Sequence, residues 1–211
     1  MALTSSSTGG EVRTSPSHPV WLRLTHWLNA LAVVLMVSSG WRIYNASPLF
    51  AFRFPSAATL GGWLGGALQW HFAAMWLVAL NGILYLLINV ISGRIGRRFF
   101  PVTPKGVIHD LGAALHGRLG HTDLAHYNQV QRFAYLFAML DLTMLVASGL
   151  VLWKSVQFGL LRELMGGYEG ARYVHFIAMA LLVAFIAVHV VMVAVVPKTL
   201  RAMIIGNRGS V

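Results

Sequence analysis

Four apolar stretches, each long enough to cross a lipid bilayer, divide this chain of 211 residues and leave it little choice of fold. A helix needs about 20 mainly apolar residues to span the hydrocarbon core. The first stretch covers residues 24–44, and its helix can begin as early as Pro19, a residue type favoured in a first turn. The second covers 68–92, inside a charge-free interval between Arg53 and Arg94. The third covers 133–153, broken only by Asp141, and the fourth covers 173–196, between Arg172 and Pro197-Lys198. Hydrocarbon offers the backbone no hydrogen bonds, so each spanning segment must satisfy its own. The expected fold is an all-α integral membrane protein, a four-helix transmembrane bundle over residues 20–205. No internal repeat and no separate soluble domain is evident.

Composition agrees and narrows the chemistry. Only 10% of the residues are charged, against about 25% in soluble domains. The formal charge of +10 comes from basic residues in the gaps between apolar runs, without the aromatic-basic stripe of a nucleic-acid surface. Nucleic acid is therefore not an expected partner, and the charge reads as a topology signal. Arg13, Arg23, Arg94, Arg97, Arg98, Lys105, Arg118, Lys198, Arg201 and Arg208 fall on one side; Arg42, Arg53, Lys154, Arg162 and Arg172 fall on the other. Cytoplasmic segments are the Lys/Arg-rich ones, which puts both termini in the cytoplasm of a bacterial inner membrane. The chain has no cysteine, which excludes disulfides, thiolate-held iron-sulfur clusters and covalent haem attachment.

Outside the spans, residues 1–19 are rich in Ser, Thr, Gly and Pro and lack the apolar core of a signal peptide. They are expected to be a disordered cytoplasmic tail, with the first helix as its own targeting signal and 206–211 as a short C-terminal tail. The 93–131 connection is long and basic, and its weakly amphipathic part, 109–127, is expected to lie on the cytoplasmic membrane face. Residues 158–165 are expected to form a short interfacial helix before Gly166-Gly167.

Four of the nine histidines, His26, His71, His175 and His189, fall inside the spans. Ionisable side chains are costly there and are candidates for function; the plain alternative is a hydrogen bond to a neighbouring helix. His175 and His189 are fourteen residues apart, about 21 Å and close to four turns, so they leave one face of the fourth helix near opposite membrane surfaces. With both termini inside, His71 lies at the outer level with His175, and His26 at the inner level with His189. Two imidazoles at one depth on facing helices can bind a metal ion or hold both axial positions of a haem. Ligation on both faces leaves no open position and suits electron transfer.

Several motifs occur in order along the chain: His18-Pro-Val-Trp-Leu-Arg-Leu-Thr-His26-Trp-Leu-Asn29, then Trp70-His71-Phe72, Asn81-Gly82-Ile-Leu-Tyr85, and Gly166-Gly167-Tyr-Glu-Gly-Ala-Arg172-Tyr-Val-His175. Together they resemble the bacterial cytochrome b561 and nickel-hydrogenase cytochrome b-type family over most of residues 18–205. That resemblance implies a membrane cytochrome with two non-covalent haem b groups, ligated by His26, His71, His175 and His189. It further implies electron exchange between ubiquinone or menaquinone and a periplasmic redox enzyme, such as a hydrogenase, a formate dehydrogenase or a molybdenum-cofactor oxidoreductase. Residues 81–98 and 126–131 are most similar to members accompanying molybdenum enzymes. The long second connection and Asp141 depart from the hydrogenase-type pattern.

Haem propionates need cationic donors at the membrane surfaces. Arg42 and Arg172 are the outer candidates and Arg23 and Arg132 the inner ones, against an ordinary reading as solvated topology markers. His126, Tyr127, Asn128 and Gln131 could hydrogen-bond a quinone near the inner level, or form an ordinary interfacial belt. Asp141 suggests a proton path, the alternative being a neutral carboxyl bonded to Ser or Thr of a neighbouring helix. His18, His109, His116 and His121 read as loop residues. Two further functions fit the pattern: a self-contained enzyme passing electrons from superoxide to quinone, and a transporter binding Zn²⁺ or Cu⁺ through the membrane histidines.

Overall fold

The computed structural model describes residues 19–92, 102–115, 129–195 and 197–206. Among them it forms helices α1 (Val20–Ala46), α2 (Leu64–Ile91), α3 (Pro104–Leu115), α4 (Gln129–Trp153), α5 (Gly159–Leu164), α6 (Gly167–Val195) and α7 (Pro197–Ile204), with a 3-10 turn at Ser56–Ala58. The four long helices α1, α2, α4 and α6 are each long and apolar enough to cross a membrane. They start earlier than the hydropathy limits, at Leu64 instead of 68 and at Gly167 instead of 173. Helices continue through the headgroup layer, where Trp, Tyr and Arg such as Trp21, Arg23 and Arg172 are at home, and a hydropathy reading stops at the hydrocarbon edge. The expected helix at 158–165 is α5. The expected segment at 109–127 lies partly outside the described residues; within them, helix runs over Pro104–Leu115.

Two hairpins make up the bundle. The backbones of α1 and α2 run side by side, as do those of α4 and α6, whereas helices of different hairpins approach each other little. Small residues at seven-residue intervals explain the closeness within a hairpin. Thr25, Ala32 and Ser39 of α1 and Ala67, Ala74 and Asn81 of α2 are all buried. Such stripes let two backbones come together, which is how helices associate where water supplies no hydrophobic drive. Asn81 locks this seam by donating to the Thr25 carbonyl at 2.7 Å. In the other hairpin Asp141 and Ser148 of α4, with Ala171 and Ala178 of α6, are the buried counterparts.

The ends of the bundle are fastened differently. At the loop end, between α1 and α2, the Asn45 side chain takes the Phe54 N–H at 2.9 Å and donates to the Phe54 carbonyl at 2.8 Å. This holds an aromatic cluster in which Trp41 stacks on Phe54 at 4.6 Å and Tyr44 meets Phe176 of α6 at 5.0 Å. Gly61, with φ of 103°, makes the turn into α2, where a Cβ would stand 2.4 Å from the Ala67 nitrogen. At the termini end, Arg23 and Trp27 of α1 donate to the Ile204 and Met203 carbonyls at 2.9 and 3.2 Å, capping α7 at its negative end. Asp110 of α3 accepts the Gln129 N–H at 2.8 Å and so caps α4.

Candidate functional site

The four membrane histidines meet as two pairs across the gap between the hairpins. His71 of α2 faces His175 of α6 with ring centres 6.4 Å apart. His26 of α1 faces His189 of α6 at 6.1 Å. These are the pairs expected from depth and spacing. Two metal–imidazole bonds of about 2.0–2.1 Å, with roughly 1.1 Å from each nitrogen to its ring centre, would put the centres of two opposed imidazoles about 6.3 Å apart. Both pairs match that separation.

Hydrogen bonds at the loop-end pair fix which nitrogen is presented. Ser39 Oγ donates its only proton to the Leu35 carbonyl at 2.6 Å. His71 Nδ1 lies 3.1 Å from Ser39 Oγ and 3.1 Å from the Met36 carbonyl, and a carbonyl only accepts. The proton of neutral His71 therefore sits on Nδ1, shared between two acceptors, and the Nε2 lone pair is left for a metal. His175 repeats the arrangement. Ser148 Oγ donates to the Met144 carbonyl at 2.7 Å, and His175 Nδ1 donates to Ser148 Oγ at 2.9 Å and to the Leu145 carbonyl. Ligating histidines ordinarily have their second nitrogen anchored in this way.

Comparison of the two half-sites brings out a repeat that hydropathy does not. Met36-Val-Ser-Ser39-Gly40 on α1 serves His71 as Leu145-Val-Ala-Ser148-Gly149 on α4 serves His175. In both, the residue three before the serine supplies a carbonyl and the residue after it is glycine. A Cβ on Gly40 would stand 3.4 Å from His71 Cε1, and one on Gly149 3.5 Å from His175 Cε1. The two hairpins thus share a five-residue half-site in which Val, Ser and Gly are identical.

The termini-end pair has other surroundings. His26 stands edge-on to Trp27 at 5.5 Å, and His189 lies nearly parallel to Phe185 at 6.3 Å. The described residues contain no group of three or more His, Cys, Asp or Glu side chains that could hold a metal ion. Histidines in twos suit a cofactor that brings its own equatorial ligands better than a four-coordinate protein site.

The family follows from a second line of comparison. A model of the prokaryotic cytochrome b561 family matches residues 17–206. The chain belongs to the prokaryotic cytochrome b561 family. Membership makes it a multi-pass, haem-b-binding membrane cytochrome of electron transfer. It is also 64% identical over 190 residues to the putative protein-methionine-sulfoxide reductase subunit YedZ1 of Azospira oryzae, an alignment covering 90% of this chain and 96% of that protein. No solved structure matches the chain.

The remaining expected site residues are dispersed. Arg42 donates to the Gly62 carbonyl. Arg172 pairs with Glu169 at 2.8 Å and reaches Ser47 Oγ at 3.1 Å, tying α6 to the first loop. Arg23 caps α7. Arg132 and Gln131 lie in the first turn of α4, while His126, Tyr127 and Asn128 lie outside the described residues. Asp141 is buried, and the bond to a neighbouring Ser or Thr that was the alternative to a proton path does not serve its Oδ2, which has no partner among the described residues. Sequence reading missed Ser39 and Ser148, because a serine in a membrane helix ordinarily bonds its own preceding turn, as both of these do.

Proposed function

We propose that this protein is a di-haem cytochrome b of the bacterial inner membrane, with His71 and His175 ligating one haem and His26 and His189 the other. One observation carries the reading: both pairs have bis-imidazole spacing, and the loop-end pair is held with its Nε2 lone pairs free. Each haem, when bound, supplies one-electron chemistry without an open coordination position. The chain's own residues orient the imidazoles, clear space beside them through Gly40 and Gly149, and keep water out.

Electrons run between the quinone pool, ubiquinone or menaquinone, and a periplasmic enzyme that does the substrate chemistry. Similarity to a subunit named for methionine-sulfoxide reduction supports a reductase of that kind as the partner, consistent with the molybdenum-enzyme resemblance. Electrons then flow outward from quinol, since reducing a sulfoxide to a thioether and water consumes two electrons and two protons. Quinone binds at the termini end beside the His26/His189 level, with His126, Tyr127, Asn128 and Gln131 as hydrogen-bonding candidates. Arg42 and Arg172 at the loop end, and Arg23 and Arg132 at the other, face the propionates. A guanidinium has five N–H donors, so the observed bonds leave others for a carboxylate. Both termini are cytoplasmic by the distribution of Lys and Arg.

The reduced-minus-oxidised visible spectrum of the purified protein, with a pyridine haemochrome assay, tests this reading. Two low-spin b haems per chain are expected. A well-folded, haem-free protein from cells with ample haem would overturn it and turn attention to bound zinc or copper.

A further inference from the structure

Asp141 is the middle residue of α4 and the only acidic residue deep in any of the four spans, Glu169 standing in the first turn of α6. It is 5% exposed, and its buried Oδ2 has no hydrogen-bond partner among the described residues. A carboxyl so placed is costly in either state and most costly when ionised. Packing does not call for it. In the matching half-site of the other hairpin, the residue seven before Ser39 is Ala32, 0% exposed, whereas the residue seven before Ser148 is Asp141. Alanine fills that place in one hairpin.

Register fixes its depth. Ser148 touches His175 and Phe137 touches Phe185 at 6.0 Å, so α4 and α6 run antiparallel with Asp141 level with Leu182. Leu182 is seven residues from His175 and seven from His189, about 10.5 Å along the axis from each. The carboxyl thus lies halfway between the two histidine levels. Of the elements packed on α4, α6 presents only His175 and His189 within a half-span of it, with Arg172, Tyr173 and Glu169 at the loop end. α3 brings Lys105, His109 and Asp110 to one end of α4 and α5 brings Arg162 and Glu163 to the other, while α4 itself adds Arg132 and Tyr135 in its first two turns. Across the gap, α2 contributes His71 and Tyr85, and α1 contributes His26. No fixed charge stands at the level of Asp141 itself.

We propose that Asp141 is a redox-linked proton acceptor, gaining a proton when an electron enters the wire and losing it when the electron leaves. This rests on the two-haem reading above. A ferric haem between neutral imidazoles carries one net positive charge at its centre and a ferrous one none, so the oxidised state favours the carboxylate and the reduced state the acid. In the coupled step a quinol-class donor gives up one electron to the wire and one proton to water, becoming a semiquinone. One hydronium ion from the aqueous phase gives its proton to the Asp141 carboxylate, breaking one O–H bond, forming the O–H of the carboxylic acid and leaving water. Charge within the low-dielectric interior is conserved.

Potentiometric titration of the haem-loaded protein from pH 5 to 9, followed optically, tests the proposal together with the infrared reduced-minus-oxidised difference spectrum. The wild type should show a haem midpoint that falls as pH rises, by up to about 59 mV per tenfold drop in proton activity, and a protonated-carboxyl band that appears on reduction. In Asp141→Asn and Asp141→Ala the slope should flatten and the band vanish, with haem content unchanged. A pH-independent wild type, a wild type without the band, or variants that keep slope and band would each overturn the proposal. Asp141→Glu, which keeps a carboxyl and should shift the band while retaining the slope, decides if both of those variants fail to fold; an unshifted band there would overturn the proposal. Haem-free protein would defeat the two-haem reading itself, and haem-loaded protein with a flat slope would defeat only the role of Asp141.

Discussion

His175 donates from Nδ1 to Ser148 Oγ across 2.9 Å, and because that hydroxyl has already spent its proton on the Met144 carbonyl, the direction of the bond is settled. An imidazole whose Nδ1–H is accepted by a neighbour is a more electron-rich ligand, which favours oxidised iron. Ser148→Ala and Ser39→Ala should therefore keep both haems and raise one midpoint potential. The backbone carbonyl remains as second acceptor, so the loss is a fraction of a neutral hydrogen bond, about 0.5 kcal/mol. At about 59 mV per factor of ten, that corresponds to roughly 20 mV upward. An unchanged potential in both variants would show that the carbonyls alone set the ligand.

The two histidine pairs should separate by mutation. His71→Ala or His175→Ala should lower the haemochrome value from about two haems per chain to about one, and so should His26→Ala or His189→Ala, with a different band lost. Loss of both haems in all four variants would mean that the sites are not independent.

Glycine at positions 40 and 149 is tested by size. The 3.4 and 3.5 Å separations from histidine Cε1 leave room for a methyl group and nothing larger. Gly40→Ala and Gly149→Ala should retain the loop-end haem, whereas Gly40→Leu and Gly149→Leu should expel it and spare the other. Retention in the leucine variants would show that the histidines can swing aside.

Arg23 has a structural role that can be separated from its proposed propionate contact. Its bond to the Ile204 carbonyl closes the end of α7. Arg23→Ala should free that helix at a cost of about 1 kcal/mol, discounted for exposure, and should expose residues 197–206 to protease before the bundle unfolds. A shift in haem potential without faster cleavage would point instead to a propionate contact.

The spans, the histidine pairs and α5 were legible because each depends on local chemistry: apolar run length, fourteen residues on one helix face, or a short amphipathic segment. Ser39 and Ser148 were not, since their significance lies in the register between neighbouring helices. That register is set by small residues such as Ala32 and Ala74, which look the same in sequence whether they face lipid or a partner helix. The loop-end arginines were legible only as cations at the membrane surface. That Arg42 donates to the Gly62 carbonyl and Arg172 to the Ser47 carbonyl shows only in the fold, and each guanidinium keeps further donors. Asp141 is unusual already from its position in the sequence; that its Oδ2 goes unpartnered among the described residues depends on how the neighbouring helices pack.

On the proposed ligation the second hairpin would supply both of its ligands, His175 and His189, from α6, and the first hairpin would supply His26 and His71. During synthesis, then, neither of the proposed haems could be held on both faces until the last spanning helix has entered the membrane. Because the hairpins touch each other sparingly, the cofactor would be the fastener that joins two preassembled halves. Maturation on this view is a late event, and a cell short of haem would accumulate inserted but loosely joined hairpins, with cofactor supply governing how much finished protein it holds.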